Sequence, residues 1–490
     1  MLTNDLPEGD IEVDIVVIGG GPAGMHTALE AARHGRRVAI LDEEPDVGGA
    51  CVRRGTIPSK TLRETAVSLD AVGRKSAGVV ELALPDDTAL ESLLSRTRQV
   101  VVAHERTWSL HLRRAGVLVL HGRASFVAGK DGRMLQVETV RRQRYTITAT
   151  TSVVIASGSR PRTPSNIPVD HEVILDSDSI LSLPWLPKSL VVLGGGVIAT
   201  EYASIFAALG VEVIAIDKAQ RPLGFLDAEI VDCFLTAFNN SGGTFIGGRT
   251  VTAVEPDAGG VRVSLDDGEV LQTDKVLVAL GRVANVERLR IENVGLSTDH
   301  RGLLVVDAAF RTSHPHIFAV GDVIGPPSLA STSMEQGRRA GRHACGLAAV
   351  SQAPAAVPVG VYAIPEMASI GLSEAEAAQQ GRTVVVGRAH FADTARGVIA
   401  AAEGGLLKLV VNEEGDKILG VHIVGEGAAE LVHLGQLAML GGLSPQVFVE
   451  QAFNIPTMAE AYRIAALEAA HGVERHRTSK AALVANRIVS

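Results

Sequence analysis

A buried-strand run, a glycine turn, a helix, a second strand and a terminal acid follow one another twice in this 490-residue chain, the second time 175 positions after the first. The first copy runs from Val13–Ile18 into Gly19-Gly20-Gly21-Pro22-Ala23-Gly24, a helical stretch to about His34, and a strand Arg37–Leu41 that ends in Asp42. Each residue type has a physical task. Gly19 permits the turn, Gly21 lets the backbone approach a pyrophosphate, Gly24 lets helix and strand pack closely, and Asp42 can accept a hydrogen bond from a ribose hydroxyl. The second copy is Leu190–Leu193, Gly194-Gly195-Gly196-Val197-Ile198-Ala199, a helix through Leu209, then Val211–Ile216 and Asp217. Ala199 stands at the third glycine position, where alanine is tolerated, so the fold is expected to survive it.

Two such units predict an α/β chain with two Rossmann-like domains holding two dinucleotides together. The simplest chemistry for that arrangement is hydride transfer between a nicotinamide (NAD or NADP) and a flavin. Composition narrows the alternatives. Lys+Arg number 46 against 55 Asp+Glu, a net charge of −9, which argues against a nucleic-acid partner. A hydrophobic content of 46% excludes general disorder. Cys51, Cys233 and Cys345 are too few and too dispersed for a disulfide scaffold or a zinc site, so no metal is expected. Cys233 and Cys345 read as core or surface residues without chemistry. Met1 to Glu12 lacks the apolar stretch of a secretory signal, and no run approaches the roughly 18 apolar residues of a membrane span. A cytoplasmic location without membrane attachment is the expectation.

Between the units lies Gly48-Gly49-Ala50-Cys51-Val52-Arg53-Arg54-Gly55-Thr56-Ile57-Pro58-Ser59-Lys60. This resembles the redox segment of the flavoprotein disulfide reductases, the family of lipoamide dehydrogenase and glutathione reductase, with Thr56 where the second cysteine would stand. Further similar segments are Ala156-Ser157-Gly158-Ser159-Arg160-Pro161, Ala279-Leu280-Gly281-Arg282 and Ile317-Phe318-Ala319-Val320-Gly321-Asp322. Near the C-terminus, Asn454-Ile455-Pro456-Thr457-Met458-Ala459-Glu460 resembles the family's His-Pro-Thr-x-x-Glu, with Ile455 in place of the acid/base histidine. Without a second cysteine and the histidine, electrons cannot pass through a disulfide to a thiol in the usual way. One branch of the family shares both absences, the soluble (Si-specific) pyridine nucleotide transhydrogenases. The chain is similar to that branch also in Glu201–Phe206, Phe225-Leu226-Asp227 and Asn454-x-Pro456-Thr457-Met458-Ala459-Glu460-Ala461-Tyr462-Arg463.

The resemblance implies hydride movement between NADPH and NAD+ through FAD, with no redox-active disulfide and one nicotinamide dinucleotide bound at a time. It implies that Gly19, Gly21, Gly24, Asp42, Gly49, Cys51, Gly158 and Asp322 serve FAD, Asp322 at the ribityl chain. Gly194, Gly196, Glu201, Asp217, Lys218, Arg221 and Gly281 would serve the nicotinamide dinucleotide. Lys60 and Glu201 would stand near flavin N5 and the nicotinamide as catalytic residues, Lys60 stabilising negative charge on the reduced ring. Each has a plainer reading: Lys60 a surface lysine at a helix start, Glu201 a first-turn acid favoured by the helix dipole. Asp217 suits a free 2′-hydroxyl. Lys218 and Arg221 suit a 2′-phosphate or are solvated loop charges. Cys51 reads as a structural thiol, a flavin neighbour, or a sensor that forms sulfenic acid.

The chain divides on this reading into a flavin domain, 1–160 and 286–350, a nicotinamide domain, 161–285, an α+β interface domain, 351–470, and a tail, 471–490. Ser351–Pro358 reads as a linker. Strand-like Leu406–Val411 and Ile418–Val424 and an apolar helical stretch Ala428–Leu440 fit a domain buried between two subunits, so a homodimer or higher homo-oligomer is expected. The tail reads as a flexible appendage or an extra helix. Competing functions are an FAD-dependent NAD(P)H reductase of quinones or dyes, a reductase using Cys51 alone as a sulfenic acid, and a silent flavoprotein that binds a macromolecule.

Overall fold

The structure, a computed structural model, describes residues 10–75, 93–129, 131–348, 356–402 and 404–489. Most of the N-terminal segment Met1 to Glu12 and most of the linker Ser351–Pro358 lie outside the described residues.

Strand β1 (Ile11–Ile18) is central to the first sheet because Ile15, Val16 and Val17 are buried on both faces, the signature of a parallel strand covered on both sides. β2 (Val38–Asp42) and β3 (Leu118–His121) lie on one side of it, and β6 (Arg144–Ile155) on the other, all parallel. An antiparallel pair, β4 (Arg123–Phe126) and β5 (Met134–Glu138), extends the sheet beyond β6. The late strand β17 (Ile317–Ala319) returns to pair with β6, carrying Asp322 to the end of the sheet where β1 delivers its glycine turn. Helix α1 (Pro22–Arg33) follows that turn, and α7 (Ala330–Ala344) packs closely on it. A Cβ on Gly337 would stand 2.1 Å from Ala23 O, so only glycine fits. Short α2 (Gly49–Arg53), α3 (Thr56–Lys75) and α4 (Ser95–Arg114) fill the connection from β2 to β3.

The second unit repeats the order. β9 (Ser189–Leu193), β10 (Glu212–Asp217) and β11 (Gly243–Gly247) are parallel neighbours, and β15 (Lys275–Val278) and β8 (Ile174–Asp176) complete the sheet on the far side of β9. Between β11 and β15 in the chain, β12 (Val251–Asp257), β13 (Gly260–Leu265) and β14 (Val270–Thr273) form a separate antiparallel sheet. Helix α5 (Val197–Ala208) is buried almost all round, and α6 (Ala228–Asn240) joins β10 to β11. Ala199 is fully buried without distortion: its Cβ lies 3.6 Å from where a Cβ on Gly194 would stand. In the first unit a Cβ on Gly24 would come within 1.8 Å of Gly19 O. Two short strands, β7 (Ser159–Pro161) and β16 (Arg282–Ala284), pair antiparallel where the chain enters and leaves this unit.

The C-terminal part is an antiparallel sheet in the order β18 (Val359–Val361), β19 (Met367–Gly371), β22 (Ile418–Val424), β21 (Leu406–Asn412), β20 (Val384–His390). Helices α8 (Ala428–Leu440) and α9 (Glu460–Val489) pack on it. Buried Tyr462 ties the helices together, its hydroxyl donating to Leu431 O at 2.7 Å and accepting from Gly435 N at 3.1 Å. The tail continues α9, and His476, Arg477 and Lys480 meet Glu413 or Glu414 at the β21–β22 turn. Lys408 rises from the middle of β21 at only 2% side-chain exposure. Its ammonium donates to both oxygens of Asp227, at 3.0 and 2.9 Å, and pairs with Glu229 and Glu374. Asp227 also caps α6 by accepting from Glu229 N, so this buried cluster fastens the second unit to the C-terminal sheet.

Candidate active site

Both glycine turns close on the end of a neighbouring strand. Gly19 (φ +107°) and Gly194 (φ +122°) adopt conformations that favour glycine, and a Cβ there would stand 2.3 Å from Ala156 O and 2.6 Å from Ala279 O respectively. No side chain caps α1 or α5, so their first-turn N–H groups face outward, as anion-binding helix starts do. Asp42 and Asp217 strap the turns in the same way. Asp42 accepts from Gly20 N at 2.5 Å and Glu44 N at 2.9 Å, and Asp217 from Gly195 N at 2.6 Å and Ala219 N at 2.7 Å. Each carboxylate oxygen keeps a lone pair for a ribose hydroxyl. Burial pushes the Asp42 carboxyl pKa up, against the backbone N–H bonds that lower it.

The two turns differ in cover. The start of α2 roofs the first: Gly48 N donates to Gly20 O at 2.8 Å, and a Cβ on Gly49 would lie 2.9 Å from Gly21 Cα. Above Gly196 nothing stands within 4 Å of a Cβ position. Gly158 and Gly281 also face open space. Beside Gly158, Ser157 Oγ is buried without a hydrogen-bond partner, a polar atom that a ligand in this cleft would satisfy. Asp322 accepts from Ser159 Oγ at 2.6 Å, and Ser159 Oγ accepts in turn from Arg282 Nε at 2.8 Å. The roofed cradle, the outward N–H groups and the orphaned hydroxyl fit a dinucleotide.

Three parts of the chain meet at Lys60. Its ammonium donates to Glu201 Oε2 at 2.5 Å, with the lysine side chain 25% exposed and the glutamate 5%. Glu201 Oε1 accepts from Tyr362 N at 2.9 Å, and the Tyr362 ring centroid lies 5.2 Å from Lys60 Nζ. Ile364 N donates to Ser204 Oγ, and Arg63 Nε to Ala363 O, so the 362–364 segment is stitched to both α5 and α3. Lys60 and Glu201 each occupy the second turn of their helices. Glu201 is therefore not a first-turn acid at the helix dipole, nor Lys60 a free surface lysine. In the buried environment of α5, a carboxylate needs such a partner.

Cys51 is half-buried, near Thr56 and in the field of Lys60 and Asp322. Burial pushes its pKa up, so it is a thiol at neutral pH. Cys233 and Cys345 are also free. Ile455 is exposed, and Glu460 Oε2 is buried with no hydrogen-bond partner among the described residues.

At the far end of the second turn Lys218 is exposed and makes no hydrogen bond or ion pair among the described residues. Arg221 pairs with Asp232 through two bonds, Nε–Oδ1 at 2.8 Å and Nη2–Oδ2 at 3.1 Å. Sequence reasoning missed Tyr362, Asp232 and Lys408. No local pattern marks the first two. A lysine inside an apolar strand was the available signal for the third.

The family model described as "Pyridine nucleotide-disulphide oxidoreductase" matches residues 13–337, and that described as "Pyridine nucleotide-disulphide oxidoreductase, dimerisation domain" matches 357–466. A soluble pyridine nucleotide transhydrogenase of Mycobacterium tuberculosis is 40% identical over 457 residues, covering 93% of this chain and 97% of that protein. One from Marinobacter nauticus is 39% identical over 468 residues, with the same coverage. Among solved structures, LpdA from Mycobacterium tuberculosis superposes with a TM-score of 0.85 at 25% identity, over 93% of this chain and 99% of that one. The HOCl-induced flavoprotein disulfide reductase RclA from Escherichia coli gives 0.82 at 26% identity with the same coverage.

Proposed function

The chain belongs to the pyridine nucleotide-disulphide oxidoreductase family, and from that premise we propose that it exchanges hydride between NADPH and NAD+ through FAD, without a disulfide. One observation carries this reading: the Lys60–Glu201 pair joins the two dinucleotide units beside Cys51, in a segment whose second cysteine position holds Thr56.

When bound, FAD would supply a ring able to take up and give back a hydride. Gly19, Gly21, Gly24, Asp42, Gly49, Gly158 and Asp322 are read as its holders, because the roofed first turn suits a cofactor that stays. The open second turn suits substrates that come and go, with Gly194, Gly196, Asp217, Lys218, Arg221 and Gly281 along the dinucleotide. Lys60, held by Glu201, puts positive charge where the ring gains electron density. Glu201, fixed by Tyr362 N–H, keeps that ammonium oriented. Residues 1–160 and 286–350 are read as the FAD part, 161–285 as the nicotinamide part and 351–470 as the interface part. Exposed Val398, Ile399, Leu437, Leu440 and Ile455 suit a homodimer contact there. No helix among the described residues is long and apolar enough to cross a membrane. Three unpaired thiols suit the reducing cytoplasm, where both dinucleotide pools are available.

The test is steady-state hydride transfer from NADPH to a chromophoric NAD+ analogue by the FAD-loaded protein, with quinone and disulfide acceptors in parallel. Transfer that outpaces both acceptors and persists in Cys51→Ala is expected. Fast quinone reduction beside slow transfer replaces this reading with a quinone reductase, and loss of activity in Cys51→Ala replaces it with a sulfenic acid mechanism.

A further inference from the structure

A single site that takes both NADP(H) and NAD(H) must cope with one chemical difference, a phosphate or a hydroxyl at the adenosine 2′ position. The end of β10 is where that difference falls. The loop after Asp217 is laid against the glycine turn: a Cβ on Gly195 would stand 3.1 Å from Asp217 Cβ and 3.2 Å from Pro222 Cα, and Leu223 N donates to Gly195 O at 2.7 Å. Arg221 is the residue just before this contact. Arg249 flanks the strand end from the other side, its N–H donating to Asp217 O at 3.1 Å.

Both arginines are already engaged by acids. Arg249 is bound by Asp266 and Asp267 and is only 23% exposed. Among the described residues Arg221 is held by Asp232 alone, and the two side chains are 54% and 50% exposed. An ion pair that open to solvent contributes little and exchanges partners readily. A 2′-phosphate brings a charge of about −1.5 to −2 and the same two-oxygen geometry, so it outcompetes a single carboxylate for a guanidinium. A 2′-hydroxyl does not.

We propose that Asp232 is a specificity-setting residue: it competes with the 2′-phosphate for Arg221, lowering NADP(H) affinity toward that for NAD(H) so that one site can bind and release both. With NAD(H) bound, Arg221 stays on Asp232 and the ribose hydroxyl meets Asp217. With NADP(H) bound, the guanidinium leaves Asp232 for the phosphate. This inference rests on the reading that the second unit serves both dinucleotides.

The experiment measures dissociation constants by calorimetry for NADP+, NAD+, adenosine 2′,5′-bisphosphate and 5′-AMP on FAD-loaded protein. Asp232→Asn is expected to tighten the two 2′-phosphorylated ligands about three- to fivefold, the span of an exposed charge pair, and to leave NAD+ and 5′-AMP unchanged. Asp232→Glu is expected to restore wild-type ratios. Arg221→Gln is expected to weaken only the 2′-phosphorylated ligands, about tenfold, and to abolish the effect of Asp232→Asn in the double variant. If wild-type protein binds both NAD+ and NADP+ but their ratio is the same in Asp232→Asn, or if the gain persists in Arg221→Gln, the role of Asp232 is refuted and the two-substrate reading stands. If wild-type protein binds NAD+ but neither NADP+ nor the bisphosphate, the two-substrate reading falls and this inference with it.

Discussion

Replacing Lys60 by Met strips from the Glu201 carboxylate its one cation among the described residues. Glu201 Oε1 is committed to Tyr362 N–H, and Oε2 faces Lys60 from inside a helix that is buried nearly all round. Breaking a fully buried pair from one side costs about 3–5 kcal/mol. Lys60 is one-quarter exposed, so solvent screens part of this and about 2 kcal/mol remains. Glu201→Gln keeps an acceptor for Tyr362 and removes only charge; the ammonium relaxes toward water for about 1 kcal/mol. Single effects of this size would sum to about 3 kcal/mol. A pair acting as a unit predicts about 1 kcal/mol for Lys60→Met/Glu201→Gln, a coupling of about 2 kcal/mol. Urea midpoints by circular dichroism at constant slope read the cycle. The same variants report on function: bleaching of flavin absorbance by NADPH should slow by about 10²- to 10³-fold in Lys60→Met, the span for loss of one preorganised charge. An additive double variant, or unchanged bleaching in Lys60→Met, refutes the pair as the electrostatic centre of the site.

Lys408→Met takes the ammonium from buried Asp227 and leaves Glu229 and Glu374 to Arg388; a loss of about 3–5 kcal/mol is expected from the uncompensated Asp227, and a shift below about 1 kcal/mol would show that the cluster does not fasten the second unit. Glu229 has a pKa lowered first by its hydrogen bond to Arg388, so its contribution is full above the unfolded-state value of about 4.3 and lost as pH falls through the lower folded value. The stability gap between wild type and Arg388→Met should therefore close on acidification below about pH 4, and a gap constant with pH contradicts the assignment. Burial raises the Cys51 thiol, so its alkylation by iodoacetamide, followed by mass spectrometry, should lag free cysteine at neutral pH and accelerate only above about pH 9; rapid neutral labelling is the contrary result. Gly194→Ala should lower the melting temperature, because φ is +122° and Ala279 O lies 2.6 Å from the new methyl. Gly196→Ala, with nothing within 4 Å, should leave melting unchanged and weaken NAD+ binding; equal melting losses would refute the contrast.

The two nucleotide units were legible because everything that defines them is local: strand, turn, helix and acid lie within some thirty residues, and the backbone demands of Gly19 and Gly194 admit almost no other residue. The roofing of one turn and not the other was not legible, since it depends on how Gly48 and Gly49 fold back over Gly20 and Gly21. Lys60 and Glu201 could be named from motifs, but not their contact, which spans 141 residues, nor the Tyr362 amide that completes it from 161 residues beyond Glu201. Lys408 interrupts an apolar strand and reads alone as a solvent-facing residue; it is buried because Asp227, 181 residues earlier, arrives to meet it. The tail's helix was open in the sequence because its partners lie at the distant β21–β22 turn, where Val473 is buried and His476 and Lys480 pair with Glu413.

The residues that are missing and those that remain obey one balance. NADPH and NAD+ give NADP+ and NADH with no net proton taken up or released, so the reaction needs no general acid or base. Reducing a disulfide to two thiols needs protons and a group to manage them. Ile455 at the histidine position and Glu460 with an unpartnered oxygen are what remains when that group has no task, and Thr56 beside Cys51 removes the disulfide itself. Hydride exchange would still displace charge toward a bound flavin ring, and the Lys60–Glu201–Tyr362 contact, which on the proposed reading answers it, is intact.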